Sequence, residues 1–180
     1  PGTGRIGYLM TPTTMLFATA GWSWSSVDFS NDITPESFSN SINGPQVGFG
    51  VETMYAPNWI IRTEYLHNFY DRTTFNSGFG EINVSPWVSV IRTALIYKVG
   101  PSAPAAWPDR APNAIWSGFY VGGMVGPLMA SGKVNVPSTG LSADGVGVSA
   151  VLPTGLIGYN LLVAPRWMVG LEVEAAPNIS

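Results

Sequence analysis

Apolar residues in this chain recur at every second position, and the charges sit on the opposite parity together with glycine. From Gln46, the residues Val47, Phe49, Val51 and Tyr55 alternate with Gly48, Gly50 and Glu52. From Trp59, Ile61, Thr63 and Tyr65 alternate with Arg62 and Glu64; from Trp167, Val169, Leu171 and Val173 alternate with Gly170, Glu172 and Glu174. A period of two marks a strand with one apolar and one polar face. Similar patterns occupy 4–10, 15–24, 87–99 and 115–126, and a weaker one covers 154–163. The expectation is an all-β fold of eight strands, an even number.

Composition narrows the class. Charged residues make up only 11% of the 180 residues, less than half the usual share of a soluble domain. With 46% hydrophobic residues, the chain lacks the low hydrophobicity and high charge that keep a segment disordered. Lys and Arg number 8 against 11 Asp and Glu, so no basic footprint for nucleic acid can be assembled. There is no cysteine, which removes disulfides, thiolate metal sites and a cysteine nucleophile. The stretches 111–132 and 145–165 carry no charge and are long enough for a spanning helix. Their Pro112, Gly118, Gly122, Gly123, Gly126, Pro127, Pro153, Gly155 and Gly158 argue against one, since glycine costs about 1 and proline about 3 kcal/mol in a helix interior.

The connections alternate in length. Short ones fall at 11–14, 56–58 and 164–166; long ones, rich in Ser, Asn, Asp, Gly and Thr, fall at 25–44, 70–86 and 127–153. Short turns at one end and long loops at the other describe an outer-membrane barrel. A repeat supports the hairpins: residues 50–64 and 158–172 share Gly, Ala, Pro, Trp and Glu in register. Proline belongs in the turn because it cannot donate to a ladder. Trp59 and Trp167, just after it, fall where a strand meets the apolar band; with Tyr55 and Trp116 they are expected to form an aromatic girdle.

The face that meets lipid follows from the charges. A soluble ligand-binding barrel puts bulky apolar residues inside and charges outside. Here the charges share their face with glycines, which suits the narrow interior of an eight-stranded barrel. Ions in that space need partners. The expected lumen set is Arg5, Arg62 and Arg92 against Glu52, Glu64, Glu172 and Glu174.

Several motifs resemble one family. Trp116-Ser-Gly-Phe-Tyr-Val-Gly-Gly123 resembles the first strand of small Gram-negative outer-membrane β-barrels, the opacity-protein-like and outer-membrane-protein-A-like group. Ala164-Pro-Arg-Trp-Met-Val-Gly-Leu-Glu172 resembles the third, Gly4-Arg-Ile-Gly-Tyr8 the fourth and 16–22 the fifth. The segment 48–66 is similar to the sixth and seventh, and Val90-Ile-Arg-Thr-Ala-Leu-Ile-Tyr-Lys98 to the closing strand. The resemblance implies an eight-stranded antiparallel transmembrane up-and-down meander in permuted order. Residues 1–99 hold strands like four to eight, and 115–180 hold strands like one to three. The Pro/Ala-rich linker 100–114 between them falls on the short-turn side. A slice through tandem barrels or a circular permutation gives this order.

Other polar groupings have simpler roles beside the chemical ones. Glu172 with Glu174, and Glu52 with Glu64, could do acid–base work as in glycosidases; lumen ion pairing explains them as well and is preferred. His67, with Asp71 nearby, is read as a solvated interfacial residue rather than part of a catalytic or metal cluster. Acidic Asp28, Asp32, Glu36 and Glu81 in the loops lack ligand-loop spacing. Glycines 118, 122 and 126 match the helix-dimer spacing but in a strand simply share a face. The expectation is a structural or surface-interaction barrel of the Gram-negative outer membrane, not an enzyme, with no cofactor and no metal. Its partners are membrane lipid and lipopolysaccharide, with host or peptidoglycan-associated partners reached through the loops. A narrow porin-like channel is the alternative, and a soluble lipocalin-like carrier the second.

Overall fold

The computed structural model describes residues 1–30, 37–70, 73–77, 80–100, 116–136 and 141–176. They form nine strands: β1 (Gly2–Thr11), β2 (Thr14–Ser30), β3 (Ser37–Ala56), β4 (Trp59–Phe69), β5 (Thr73–Ser77), β6 (Gly80–Lys98), β7 (Gly118–Val136), β8 (Leu141–Ala164) and β9 (Trp167–Ala175). Neighbours run β4-β3-β2-β1-β9-β8-β7-β6, and β6 pairs back onto β4, so eight strands close a barrel. Every pairing is antiparallel. Closure leaves no open edge around the wall, which is what allows a sheet to stand in lipid. Among the described residues no helix is long and apolar enough to cross a membrane.

The ninth strand is a departure from the sequence expectation. β5 lies inside 70–86, expected to be loop, and pairs only with β6, from Thr73↔Val84 to Ser77↔Gly80. The other long connections also carry ladder. β2 and β3 stay paired out to Ser30↔Ser37, and β7 and β8 out to Val136↔Leu141. Turn-favouring composition marked these segments as loops, but pairing satisfies the backbone groups of a long hairpin wherever register continues from the wall. The linker 100–114 lies outside the described residues beyond Gly100.

The three short turns are built alike. Ala56↔Trp59 and Ala164↔Trp167 close the repeated hairpins, and Thr11↔Thr14 the third, each beside a register shift. The last turn residue offers its carbonyl to the adjoining strand: Met54 N–H donates to Thr13 O, Leu9 N–H to Arg166 O and Lys98 N–H to Asn58 O, at 2.8–2.9 Å. Asn58 has φ of 67°, a left-handed conformation that asparagine tolerates better than most residues. Its side-chain amide donates to Gly100 O at 3.3 Å.

Alternation separates the two faces of the wall. Phe49, Val51, Tyr55, Ile61, Ile91, Leu95, Phe119, Val121, Val169, Leu171 and Val173 are exposed on the outside. Arg5, Glu52, Arg62, Glu64, Glu172 and Glu174 are buried inside. The interior has a part the charge pattern did not reveal. Near the short turns it is apolar, with Leu9, Met15, Met54, Ile60, Ile96, Met168 and Trp116 buried together. Ser23, Gln46 and Asn68, nearer the long-loop end, are buried and polar.

Candidate functional site

Three strands oppose lumen charges in register and two more complete the set. Glu52 on β3 and Arg62 on β4 are directly opposed in register, as are Glu64 on β4 and Arg92 on β6. Opposite charges at facing positions attract across a ladder. The remaining partners come from β1 and β9. Arg5 Nη2 lies 2.6 Å and Arg62 Nε 2.7 Å from the same Glu52 Oε1. Arg62 turns its fork to Glu172, with Nη1–Oε1 at 2.8 Å and Nη2–Oε2 at 2.7 Å. Arg92 bridges Glu64 at 2.5 Å and Glu174 at 2.6 Å. All seven residues of the expected lumen set therefore meet in one network.

Two aromatic residues escaped the sequence reading. The guanidinium carbon of Arg5 sits 4.3 Å from the Phe17 ring centre and that of Arg62 5.3 Å away. Tyr120 lies 5.9 and 5.8 Å from the same two groups. Its hydroxyl donates to Glu172 Oε2 at 2.7 Å and accepts from Arg5 Nη1 at 3.1 Å. Two like charges are thus held between π faces, which attract cations. The available signal was parity: Tyr120 lies between the outward residues Phe119 and Val121.

Glycine makes this packing possible. A Cβ at Gly158 would overlap the end of the Tyr120 ring, and one at Gly170 would meet the Asn160 Oδ1 and Arg5 side-chain atoms. The arrangement as a whole fills the middle of the barrel with fixed, interlocked charge. That array suits a rigid plug better than a path for ions.

Outside, aromatic pairs line the short-turn end. Trp59 packs edge-on to Tyr97 at 5.0 Å between ring centres, Tyr8 to Trp167 at 5.1 Å and Phe119 to Tyr159 at 4.7 Å. Tyr55 is half exposed on the same wall. Trp116 corrects the girdle expectation. It is only 2% exposed and faces inward, its indole N–H donating to Pro12 O at 2.9 Å. Trp116 lies two residues before β7 on the inward parity of Tyr120, so the girdle expectation ran against the alternation. At the long-loop end Trp22, Trp24, Phe69 and Trp87 are exposed.

Between those belts, near the upper one, three polar side chains converge on the outer wall. Ser89 Oγ lies 2.9 Å from His67 Nδ1 and 3.1 Å from Tyr65 Oη. Asp71, named beside His67 from the sequence, lies outside the described residues, as do Asp32 and Glu36. Among the described residues no three His, Asp or Glu side chains form a metal-binding group.

Fold and site together define a closed eight-stranded barrel with a charge-filled lumen and an apolar, aromatic-belted exterior. No protein-family model matches the chain, and no curated protein matches it. Among solved structures, it is similar to Ail, the attachment invasion locus protein of Yersinia pestis, crystallised with the heparin analogue sucrose octasulfate. Identity is 11%, the TM-score 0.44 and coverage 97% of each chain. Identity this low transfers no ligand.

Proposed function

We propose that this chain is a Gram-negative outer-membrane β-barrel whose role is structural and surface-interacting. The observation that carries the reading is the spacing of the two aromatic belts on an uncharged wall. Tyr97 and Trp87 lie ten positions apart on the outward face of β6, and Trp59 and Phe69 ten apart on β4. Ten residues rise about 33 Å along a strand. Tilted by roughly 40°, they span about 25 Å, the height of the apolar band in such barrels. The short-turn end then faces the periplasm. The long hairpins project outside the cell, beside lipopolysaccharide, where they present any surface for host or peptidoglycan-associated partners.

The opacity-protein-like or outer-membrane-protein-A-like relationship belongs to the same proposal. Support comes from the ring order: β9, like that family's third strand, pairs with β1, like its fourth, from Gly2↔Val173 to Tyr8↔Trp167. The stretch 1–99 and the stretch 115–180 would then be two parts of one barrel, joined through 100–114. The packed charge network disfavours an open channel, and its burial inside disfavours a lipocalin-like apolar cup.

Refolding into detergent and lipid vesicles tests the reading. A β-type circular dichroism spectrum and different gel mobility before and after boiling are expected. A folded, soluble protein that leaves vesicles untouched would overturn it.

A further inference from the structure

Tyr65, His67 and Ser89 have no task in the lumen. They face outward, on the same parity as Ile61 and Ile91, and the lumen network does not reach them. His67 and Ser89 are direct partners across the β4–β6 ladder. The imidazole is held from two sides, edge-on to Phe69 at 4.4 Å and stacked on Trp87 at 5.8 Å. Its Nδ1 is committed to Ser89 Oγ at 2.9 Å, and Tyr65 Oη approaches the same oxygen at 3.1 Å. A serine hydroxyl within hydrogen-bond reach of a positioned imidazole is the working unit of nucleophilic acyl transfer.

Depth selects the substrate. Ser89 lies two positions along β6 from the belt residue Trp87, about 7 Å along the strand and roughly 5 Å below the belt after tilt. Belt indoles sit at headgroup level, so Ser89 sits just beneath it, where the acyl ester linkages of a membrane lipid lie. Exposed Met129, its partner on β7, and Ile91 below it offer apolar wall for the attached chain.

We propose that Ser89 is a nucleophile toward lipid acyl esters, with His67 as its general base and Tyr65 as donor to the developing oxyanion. The proposal rests on the membrane reading above. Ser89 Oγ bonds to the ester carbonyl carbon while its proton passes to His67 Nδ1. The carbonyl oxygen becomes the oxyanion, and Tyr65 Oη–H turns from Ser89 to it. Collapse breaks the carbonyl–alkoxy bond; the leaving alkoxide takes the proton from Nδ1 and departs as an alcohol. Water then attacks the acyl-serine and gives its proton to Nδ1, and that proton returns to Ser89 as the fatty acid leaves. No metal and no external oxidant enter the balance.

The test uses the full chain inserted into phosphatidylethanolamine–phosphatidylglycerol vesicles, with free fatty acid released and fluorophosphonate labelling as readouts. Release, and a label mapped to Ser89, are expected. Ser89→Ala should abolish both, and His67→Gln should slow release roughly 10²–10⁴-fold. Tyr65→Phe should slow it by about 10²-fold or more, as loss of an oxyanion donor does. Retained heat-dependent gel mobility shows that each variant folds. Inserted protein that neither releases fatty acid nor takes the label overturns the nucleophile and leaves the membrane reading standing. Release undiminished in Ser89→Ala overturns it too. Failure to insert overturns both readings.

Discussion

Arg62 and Glu172, 110 positions apart in the chain, meet fork to fork through two hydrogen bonds of 2.8 and 2.7 Å. Arg62 is 1% exposed, and its Nε is taken by Glu52. Carboxylates on two non-adjacent strands, β3 and β9, are therefore joined through one guanidinium. Planar, bidentate recognition of this kind is specific to arginine.

Arg62→Met should leave Glu52 and Glu172 to share Arg5 as their one remaining cation, so one buried carboxylate loses its counter-charge. Removing one partner of a buried pair costs about 3–5 kcal/mol. Urea titration of folding in lipid vesicles measures the loss. Adding Glu172→Gln should recover part of it, because the unpaired charge goes with it. A loss of only about 0–1 kcal/mol, the range of exposed pairs, would mean that water fills the lumen.

The same network predicts electrical silence. Three guanidiniums and four carboxylates, joined by contacts of 2.5–3.8 Å, occupy the path an ion would take. Planar-bilayer recordings should show small conductance or none. Large, stable, porin-sized steps would contradict the plugged lumen.

Three tryptophans near the short-turn end should report different surroundings. Trp59 and Trp167 are partly exposed on the outer wall, and Trp116 is buried behind it. Single-tryptophan variants in bilayers with depth-specific lipid quenchers should show interfacial quenching for the first two. Trp116 should be protected. Equal quenching of all three would put Trp116 back in the girdle, and no quenching of Trp59 and Trp167 would mean the faces are reversed.

Two glycines separate space from conformation. Gly158→Ala forces a methyl group into the Tyr120 ring and the Leu171 carbonyl, so overpacking of about 1–3 kcal/mol is expected. Gly123 points outward with nothing within 4 Å of an added Cβ. Gly123→Ala should be neutral or stabilise by roughly 0.5–1 kcal/mol, since glycine weakens a strand interior. Equal effects at both sites, read by urea titration, would mean that Tyr120 is not packed over Gly158.

Parity was fixed locally, and the sequence therefore carried it in full. Alternation sets which way each side chain points, so Arg62 and Glu64 were legible as inward and Ile61 and Tyr65 as outward before any strand was paired. The repeated Ala-Pro-x-Trp turn likewise placed Trp59 and Trp167 without tertiary information. What the tertiary structure decided was partnership. Sequence assembled the lumen charges as a set; that Arg62 takes Glu52 and Glu172 while Arg92 takes Glu64 and Glu174 depends on register and on closure of the ring. Phe17 and Tyr120 enter the network for the same reason, and so does the contact of Ser89 with His67, 22 positions apart and set opposite each other only by the β4–β6 pairing. Trp116 shares the inward parity of Tyr120; the partner its indole finds, Pro12 O, came only with the closed barrel. A period of two decides a face, but only the closed sheet brings distant faces together.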